Sequence, residues 1–326
     1  MAFTGTIIGT NALNSITRRA FPDQTIVDQV YQSNALYQRW SKSGRTVKGG
    51  VHLEQVLNYK RYDTAVRYKG FDIIPPVPKD TFKNAAWDWN HIALPITIDG
   101  PTLRKNDSPD SIANIINGQL DVATMELEDV VGTDLFSNGA DANTIEGLRA
   151  AVDDGSVAAT YGGLGSRTTT NDFWQPATGA YDTTTTTLTL AAMGTVFQAA
   201  TEGARHPTII ITTDANYNRF ENLTIAQQRF PVGTSGASDE QLASAGFTNL
   251  LYRNVPLIVD SHCPANHMFF LNETFFLYVT NPDASPKLGD WLEPTNQDAF
   301  VAKLILDHAL VCQNVQRQGA FTGLTS

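Results

Sequence analysis

Apolar positions along this chain switch between a helical and an alternating period, and the switches mark out its parts. After Pro22, residues Ile26, Val27, Val30, Tyr31 and Tyr37 fall near helical spacing and the run breaks at Ser43 and Gly44, which predicts a short helix from Asp23. The first twenty residues hold few apolar anchors and end toward Arg18 and Arg19, the pattern of an arm with little structure of its own. Residues 51–59 favour a strand, and residues 85–98 alternate with Ile92, Leu94, Ile96 and Ile98 on one side, so the two are expected as legs of a long hairpin. Between them lie Arg61, Tyr62, Arg67, Tyr68, Lys69 and Phe71, then Ile73, Ile74, Pro75, Pro76, Val77 and Pro78. Those prolines lack the N–H that a ladder needs and suit an exposed tip. A two-stranded ribbon is marginal in water and cannot bury its own aromatic residues. The segment 49–100 is therefore expected to find its packing partner on another molecule.

A long helix follows, with Asp107 or Ser108 as N-cap and Pro109 at the first helical position, ending near Ser137, Asn138 and Gly139. Ile112, Ile116, Leu120, Ala123, Leu127, Val130 and Leu135 form one apolar stripe. About 27 residues at 1.5 Å each give a rod of roughly 40 Å. Residues 145–152 allow a short helix, residues 157–167 are rich in Gly and Thr, and the threonines at 183–187 mark a boundary. A helix is expected over 189–204 with Leu190, Met193, Val196, Phe197 and Ala200 on its face, then a buried-type strand over 208–212 and a short helix capped by Asp214 through Phe220. After the polar stretch 232–241, strands are expected over 250–259, 268–271 and 275–280. The last, over 299–315, is unusually long, with Phe300, Ala302, Leu304, Leu306, Leu310 and Cys312 facing in and Lys303, Asp307 and Gln313 facing out.

Composition narrows the class. With 326 residues, 42% hydrophobic and 17% charged, the chain suits one large globular domain or two of ordinary size. Its longest apolar runs fall far short of the roughly 20 residues that cross a bilayer, and its N-terminus lacks a signal-peptide pattern, so cytosolic folding and no membrane partner are expected. Two cysteines, Cys263 and Cys312, are too few for a disulfide framework or a four-thiolate zinc site. A net charge of -10 argues against a whole-surface nucleic-acid binder. That charge is unevenly spread: up to Asp110 there are 14 Lys and Arg against 10 Asp and Glu, and beyond it 9 against 23. A basic front and an acidic body suit neighbouring copies that lay the front of one over the body of the next.

Candidate chemistry is sparse. Residues 161–167 (Tyr-Gly-Gly-Leu-Gly-Ser-Arg) lack the Lys-Ser/Thr of a Walker loop and the dinucleotide fingerprint, and read as a structural turn. His262, Cys263 and His267 share one loop but have no companion ligand cluster, so a strand-connecting turn is expected rather than zinc. Glu126, Glu128 and Asp129 lie mostly off the apolar stripe of the long helix, as a solvated or partner-facing edge. Neither Gly-x-Ser-x-Gly nor His-Glu-x-x-His occurs, and no enzyme activity, cofactor or metal is expected. The basic aromatic stretch 61–71 could stack on single-stranded nucleic acid, but Asp63 and Asp72 interrupt it, which favours contact with a neighbouring subunit.

The order of elements resembles the major capsid proteins of tailed bacteriophages, whose fold is shared with encapsulins and the herpesvirus capsid floor. Similarity is best at Ile145-Glu146-Gly147-Leu148, at Tyr161-Gly162-Gly163 followed by Trp174, and at Pro256-Leu257-Ile258-Val259-Asp260. The resemblance implies an α+β fold: an N-terminal arm (1–44), an extended β-hairpin loop (45–106), a β-rich peripheral domain with its spine helix (107–185 and 295–326) and an α/β axial domain (186–294). It further implies a structural protein whose hexamers and pentamers tile an icosahedral head around double-stranded DNA, bound without sequence specificity. Arg61, Tyr62, Arg67, Tyr68, Lys69 and Phe71 then become loop residues touching a neighbour, and Arg18 and Arg19 arm residues that do the same. Partners implied are further copies of the chain, a portal, a separate scaffolding protein and a decoration protein. The setting is the virion capsid, assembled in the host bacterial cytoplasm. Some relatives carry an N-terminal scaffolding segment, whereas here the arm begins close to Met1, so a separate scaffold or none is expected. Some also form a Lys–Asn isopeptide bond assisted by Glu; Lys60 or Lys69 is the candidate donor, but no Asn or Glu can be matched. An encapsulin-like compartment is the alternative on the same fold. From another class come an α+β hydrolase or a carbohydrate-binding module using Trp87 and Trp89, which alternation places on one face.

Overall fold

The computed structural model describes residues 34–74, 76–106, 115–225 and 250–325. In chain order its main elements are α1 (Ala35–Ser43), β1 (Arg45–Thr46), β2 (His52–Asn58), β3 (Phe82–Asp88), β4 (Asn90–Asp99), α2 (Gly100–Asn106), α3 (Ile115–Leu135), α4 (Leu148–Ala151), β5 (Tyr181–Asp182), α5 (Leu190–Ala199), β6 (Ile209–Thr212), α6 (Asp214–Ile225), β7 (Leu251–Tyr252), β8 (Val255–Val259), β9 (Met268–Leu271), β10 (Phe276–Thr280), β11 (Lys287–Leu288), β12 (Ala299–Cys312) and β13 (Gly319–Phe321).

The expected hairpin is only half as long as its second leg suggested. β2 pairs antiparallel with β3, from His52 opposite Asp88 to Asn58 opposite Phe82, and the ladder ends there. Past Trp89 the chain leaves the ribbon, and β4 pairs along its whole length with β12, from Asp99 opposite Ala299 to Asn90 opposite His308. The physical reason is burial. The first leg is seven residues long and offers no further partner, whereas the 14-residue β12 does. There Ile96 and Ile98 become buried and Ile92 and Leu94 half-buried, as their alternation requires.

β12 is a shared ladder. β4 lies on one edge, while β11 and β10 take successive stretches of the other and β1 adds in parallel to β10. Ala302, Leu304, Leu306, Leu310 and Cys312 are buried and Lys303 exposed, in the expected alternation, and the strand stops at Cys312. From His308 onward every residue is buried, because other elements cover both faces there. His308 itself was not among the expected inward residues. Its Nδ1 lies 3.3 Å from the Tyr278 hydroxyl and its Nε2 3.5 Å from Asp134 on α3.

The second sheet runs β5-β13-β9-β6-β8-β7. Alternation divides its two faces cleanly. Ile210, Met268 and Phe270 pack with Met193, Val196 and Phe197 of α5, while Ile209, Ile211, Phe269 and Leu271 join a larger core with Leu127, Val131 and Leu135 of α3. On α3 the stripe holds at Ala123, Leu127 and Leu135, but Val131 is the fully buried valine and Val130 only half-buried. The expected start of this helix at 107–109 and its Ile112 lie outside the described residues, as do Arg18 and Arg19; its described 21 residues span about 31 Å.

Three boundaries differ from expectation for local reasons. The strand expected over 250–259 is a hairpin, because Arg253 and Asn254 take φ of 48° and 69°, as a two-residue turn with positive φ requires. The helix from Thr189, whose side chain accepts from Ala192 N at 3.1 Å, stops at Ala199 rather than 204; Glu202 and Arg205 then close a tight turn by reciprocal backbone bonds. α6 starts at Asp214 instead of being capped by it, and runs past Phe220 to Ile225. Helix α2 was not expected at all. Asp99 caps it, accepting from Thr102 N at 3.0 Å, with Pro101 in its first turn.

α1 is held against the spine by Asn34, whose Oδ1 accepts from Tyr37 N at 2.9 Å and whose Nδ2 donates to Glu128 O at 3.0 Å. Gly132 makes room for this: a Cβ there would collide with Asn34 Nδ2 and lie 2.8 Å from His262 Nδ1. Alanine would gain about 1 kcal/mol of helix propensity. Gly132→Ala is nonetheless expected to lower stability by about 1–3 kcal/mol net through overpacking, measured by denaturant unfolding; a stabilised variant would mean that propensity outweighs this contact.

Candidate assembly surface

The base of the ribbon is packed on the body of its own subunit, which corrects the expectation that the whole segment awaits a partner. Leu57, Ala85 and Trp87 point inward and are buried, with Leu53 and Gln55 half-buried beside them, whereas Val56, Asn84 and Phe82 on the opposite face are exposed. Trp87 meets Tyr161 edge-on at 5.8 Å, and Tyr161 stacks on Trp174 at 5.9 Å. Trp174 Nε1 donates to Tyr161 O at 2.9 Å, and the Tyr161 hydroxyl accepts from Cys312 N at 3.0 Å, so the aromatic seat is pinned to the end of β12. Residues 161–164 form a tight turn with φ of 57° at Gly162 and 70° at Gly163. A Cβ on Gly162 would lie 2.9 Å from the Trp87 ring, so glycine is required by both backbone and space. Gly162 O accepts from Ala86 N at 2.9 Å and Gly162 N donates to Glu146 Oε2 at 2.7 Å. The glycine segment is thus a wedge beneath the ribbon.

Under this seat lies Arg167, with its side chain fully buried. Its guanidinium donates to the carbonyls of Trp174 at 2.8 Å, Ala150 at 2.7 Å, Ala158 at 3.2 Å, Ala151 at 3.1 Å and Asp153 at 2.6 Å, and the Tyr161 ring lies 5.7 Å away. The buried Asp153 carboxylate stands 3.9 Å from it and accepts from the backbone N–H of Gly155 at 2.8 Å and Ala158 at 2.9 Å. Burial pulls the Arg167 guanidinium down from its usual value, with Asp153 opposing the shift. Burial likewise pushes the Cys312 thiol up to about 12. Glu146 is also pushed up, first by burial and then by Asp88, against the pull of Gly162 N–H and Arg167. Glu146, Asp88 and Asp141 line a cleft of about 470 Å³ beside the ribbon base.

Beyond this base the tip stands in water. Arg61, Tyr62, Arg67, Tyr68, Lys69 and Phe71 are all exposed, Phe71 completely, and they share one irregular stretch between Tyr59 and Thr81. Among the described residues no ion pair engages Arg61, Arg67 or Lys69. The Asp72 carboxylate serves the tip's own backbone, accepting from Lys69 N at 2.9 Å, and Lys79 Nζ donates to the backbone carbonyl of Asp63 at 3.2 Å. Ile73, in the expected exposed tip, is 90% exposed; sequence reasoning missed that Phe82 and Val56 would also be uncovered, and their place on the outward phase of the ribbon was the available signal.

Other candidates resolve into internal packing. Trp87 is buried, and Trp89 is half-buried with Nε1 donating to Gly50 O at 3.1 Å, so the pair offers no open sugar platform. His262 lies 2.8 Å through Nε2 from Asp129, which ties that helix carboxylate to its own subunit instead of leaving it as a partner-facing edge. Cys263 is buried and burial raises its thiol, while burial lowers His267. Among the described residues no group of three or more His, Cys, Asp or Glu side chains is placed to hold a metal, and no helix is long and apolar enough to cross a membrane.

A seated ribbon, a spine helix and two sheets packed on a common core define an α+β architecture. The fold matches the capsid asymmetric unit of cyanophage A-1(L) with a TM-score of 0.74 at 15% identity, covering 98% of this chain and 99% of that one. It also matches the capsid of the native GTA particle (TM-score 0.66, 12% identity, 97% and 98% covered) and the SrpI encapsulin of Synechococcus elongatus (0.59, 11%, 98% and 96%). No curated protein sequence matches significantly. The SU10 major capsid protein family model matches residues 126–325, and the chain belongs to that family. It is a major capsid protein, a structural component of a bacteriophage virion.

Removing the buried cation should collapse the seat. Arg167→Met is expected to cost about 3–5 kcal/mol, the range for breaking a buried pair, with loss of near-ultraviolet dichroism from Trp87, Tyr161 and Trp174; an unfolding midpoint like wild type would count against this role. For Glu146 the shift is upward, so its contribution is fully present below the ordinary carboxyl range and is lost as pH rises through the folded value. Glu146→Gln keeps an acceptor for Gly162 N. As pH rises from the ordinary carboxyl range through the raised folded value, the wild type should therefore lose stability relative to this variant, as followed by thermal unfolding.

Proposed function

We propose that this chain builds an icosahedral bacteriophage head as hexamers and pentamers, with residues 61–71 of each copy resting on a neighbour. The observation that carries the reading is the contrast within one ribbon: a base locked into its own subunit and a basic, apolar tip left wholly in water. A monomer gains nothing by holding such a tip out, whereas a closed ring covers every copy of it. In this reading the role is structural and non-enzymatic, the arm with Arg18 and Arg19 contacts a further neighbour, and the division into loop, peripheral and axial domains follows the boundaries given above. The head would assemble in the host cytoplasm with a scaffold and a portal, accept a decoration protein, and enclose double-stranded DNA held without sequence specificity. An encapsulin-like compartment shares the fold at the lower TM-score of 0.59, and the packaged content, DNA or protein, separates the two.

The chain expressed alone or with its scaffold should give capsomers or closed shells by electron microscopy. Arg61→Glu, Arg67→Glu and Lys69→Glu together should leave the subunit folded by circular dichroism but reduce shell yield by about tenfold or more, since like charges across an interface cost several kcal/mol. Normal assembly by the triple variant would remove the electrostatic part of the argument.

A further inference from the structure

A second arginine near the aromatic seat is withdrawn from water, and unlike Arg167 it has no partner. Arg149 on α4 is half-buried; among the described residues its side chain enters no hydrogen bond or ion pair, and its Nε is shut off from solvent. Orphaned buried donors are rare in folded proteins and point to a missing acceptor. Arg149 lines a cavity of about 240 Å³ together with Ser156, Tyr181, Thr183, His267 and Thr322, where β5 and β13 end and β9 begins. No carboxylate lines it. Asp153 and Asp154, close enough to act on Tyr181, are engaged elsewhere: Asp153 with Arg167, Gly155 N and, at 3.3 Å, Ser156 Oγ, and Asp154 with Ser156 N at 3.0 Å. The cavity is smaller than the roughly 300–1,000 Å³ of a drug-sized ligand pocket, so it suits a single oxyanion rather than a nucleotide.

The other polar groups define which oxyanion. Burial and then Asp153 push the Tyr181 hydroxyl up to about 12, so no phenolate opposes an anion here. His267 Nδ1 lies 2.8 Å from the Ala265 carbonyl, which fixes the proton on that nitrogen, and the ring stacks on buried Phe269 at 5.8 Å. Burial, with Arg149 adding to it, lowers the affinity of His267 for a second proton against the pull of that bond. Its Nε2 is therefore an acceptor. A cation, a hydroxyl and a bare imidazole nitrogen call for an anion that also has an O–H to donate. Hydrogen phosphate has both, whereas sulfate and chloride lack the O–H. We propose that Arg149 and Thr183 bind hydrogen phosphate in this cavity, with its O–H donated to His267 Nε2. The bound anion would tie α4 to the ends of three strands, beside the Ala150 and Ala151 carbonyls that Arg167 holds, and so stabilise the seat by mass action. This site stands independently of the shell-building reading.

The test is calorimetric titration of inorganic phosphate into the purified protein, with chloride holding ionic strength constant, at about pH 8 where His267 is neutral. Wild type should bind saturably at one site. Arg149→Gln should weaken binding about tenfold or more, the scale of a hydrogen bond to a charged group, and Arg149→Lys should recover part of the loss. Arg45→Gln, at an exposed arginine outside the cavity, should bind like wild type. Sulfate should bind about tenfold more weakly than phosphate, because it leaves the imidazole acceptor unpaired. Absence of saturable phosphate binding, or binding unchanged by Arg149→Gln, overturns the site, and equal affinity for sulfate overturns the part given to His267. If Arg149→Gln does not fold, the wild type decides: phosphate but not chloride should protect Arg149 from modification by phenylglyoxal, read by peptide mass. Equal modification in the two salts overturns the proposal.

Discussion

Arg167 is the group on which the rest of the assembly surface depends. A guanidinium taken out of water is costly unless it is paired and fully hydrogen-bonded, and here its donors are spent on the carbonyls of Ala150, Ala151, Asp153, Ala158 and Trp174. Those carbonyls belong to the end of α4, to the loop that follows it and to the end of the single 3-10 turn at Asp172–Trp174, where buried backbone acceptors would otherwise lack partners. One side chain thereby fixes the positions of Tyr161 and Trp174, and through them Trp87 and the whole ribbon base. Asp153 is less a partner at 3.9 Å than a second organiser, since its oxygens take backbone N–H groups of the same loop.

What the sequence shows of this is instructive. Alternation locates β4 and β12, because a period of two maps directly onto opposite sides of a pleated strand, whereas β6 and β9 show as short unbroken apolar runs of strands buried on both faces. It does not say which strand pairs with which. The run 85–98 looks like one leg and is two, since the break at Trp89 is a change of partner rather than a change of pattern. Arg167 was likewise illegible: in sequence it is the last residue of a glycine-rich turn, and nothing local tells a solvated arginine from one that holds a loop together from inside. His308 was hidden for a related reason, as a polar residue on an inward phase is noticed only when the facing Asp134 and Tyr278 are known. The exposed tip was readable because prolines and a stretch dense in basic and aromatic residues report a lack of ladder and of core at once.

The charge asymmetry takes on a more specific meaning in three dimensions. Three cations of the basic front pair with acids of the acidic body inside the same subunit: Arg39 with Glu273 at 2.6 Å, Lys48 with Asp283 at 3.3 Å and Arg104 with Asp298 at 2.6 Å. Exposed pairs of this kind contribute little, about 0–1 kcal/mol each, but they consume charge that a simple front-on-body picture would assign to neighbours. The cations left over are concentrated in the tip. The basic side of the field that steers one copy to another is therefore local rather than spread over a third of the chain.

A locked base with a free tip also lowers the cost of assembly. Ordering a residue removes about 1–2 kcal/mol of conformational freedom, and a ribbon loose from residue 49 to 100 would incur that cost throughout at every contact. Here β2, β3 and the stretch through Trp89 are already ordered by Trp87, Leu57 and the ladder. Only the irregular residues beyond Tyr59 remain to be fixed, and Pro76 and Pro78 restrict those in advance. The buried guanidinium thus acts at a distance on association: by holding the base, it leaves a short segment to be ordered by a neighbour, so that even a small contact can give net binding.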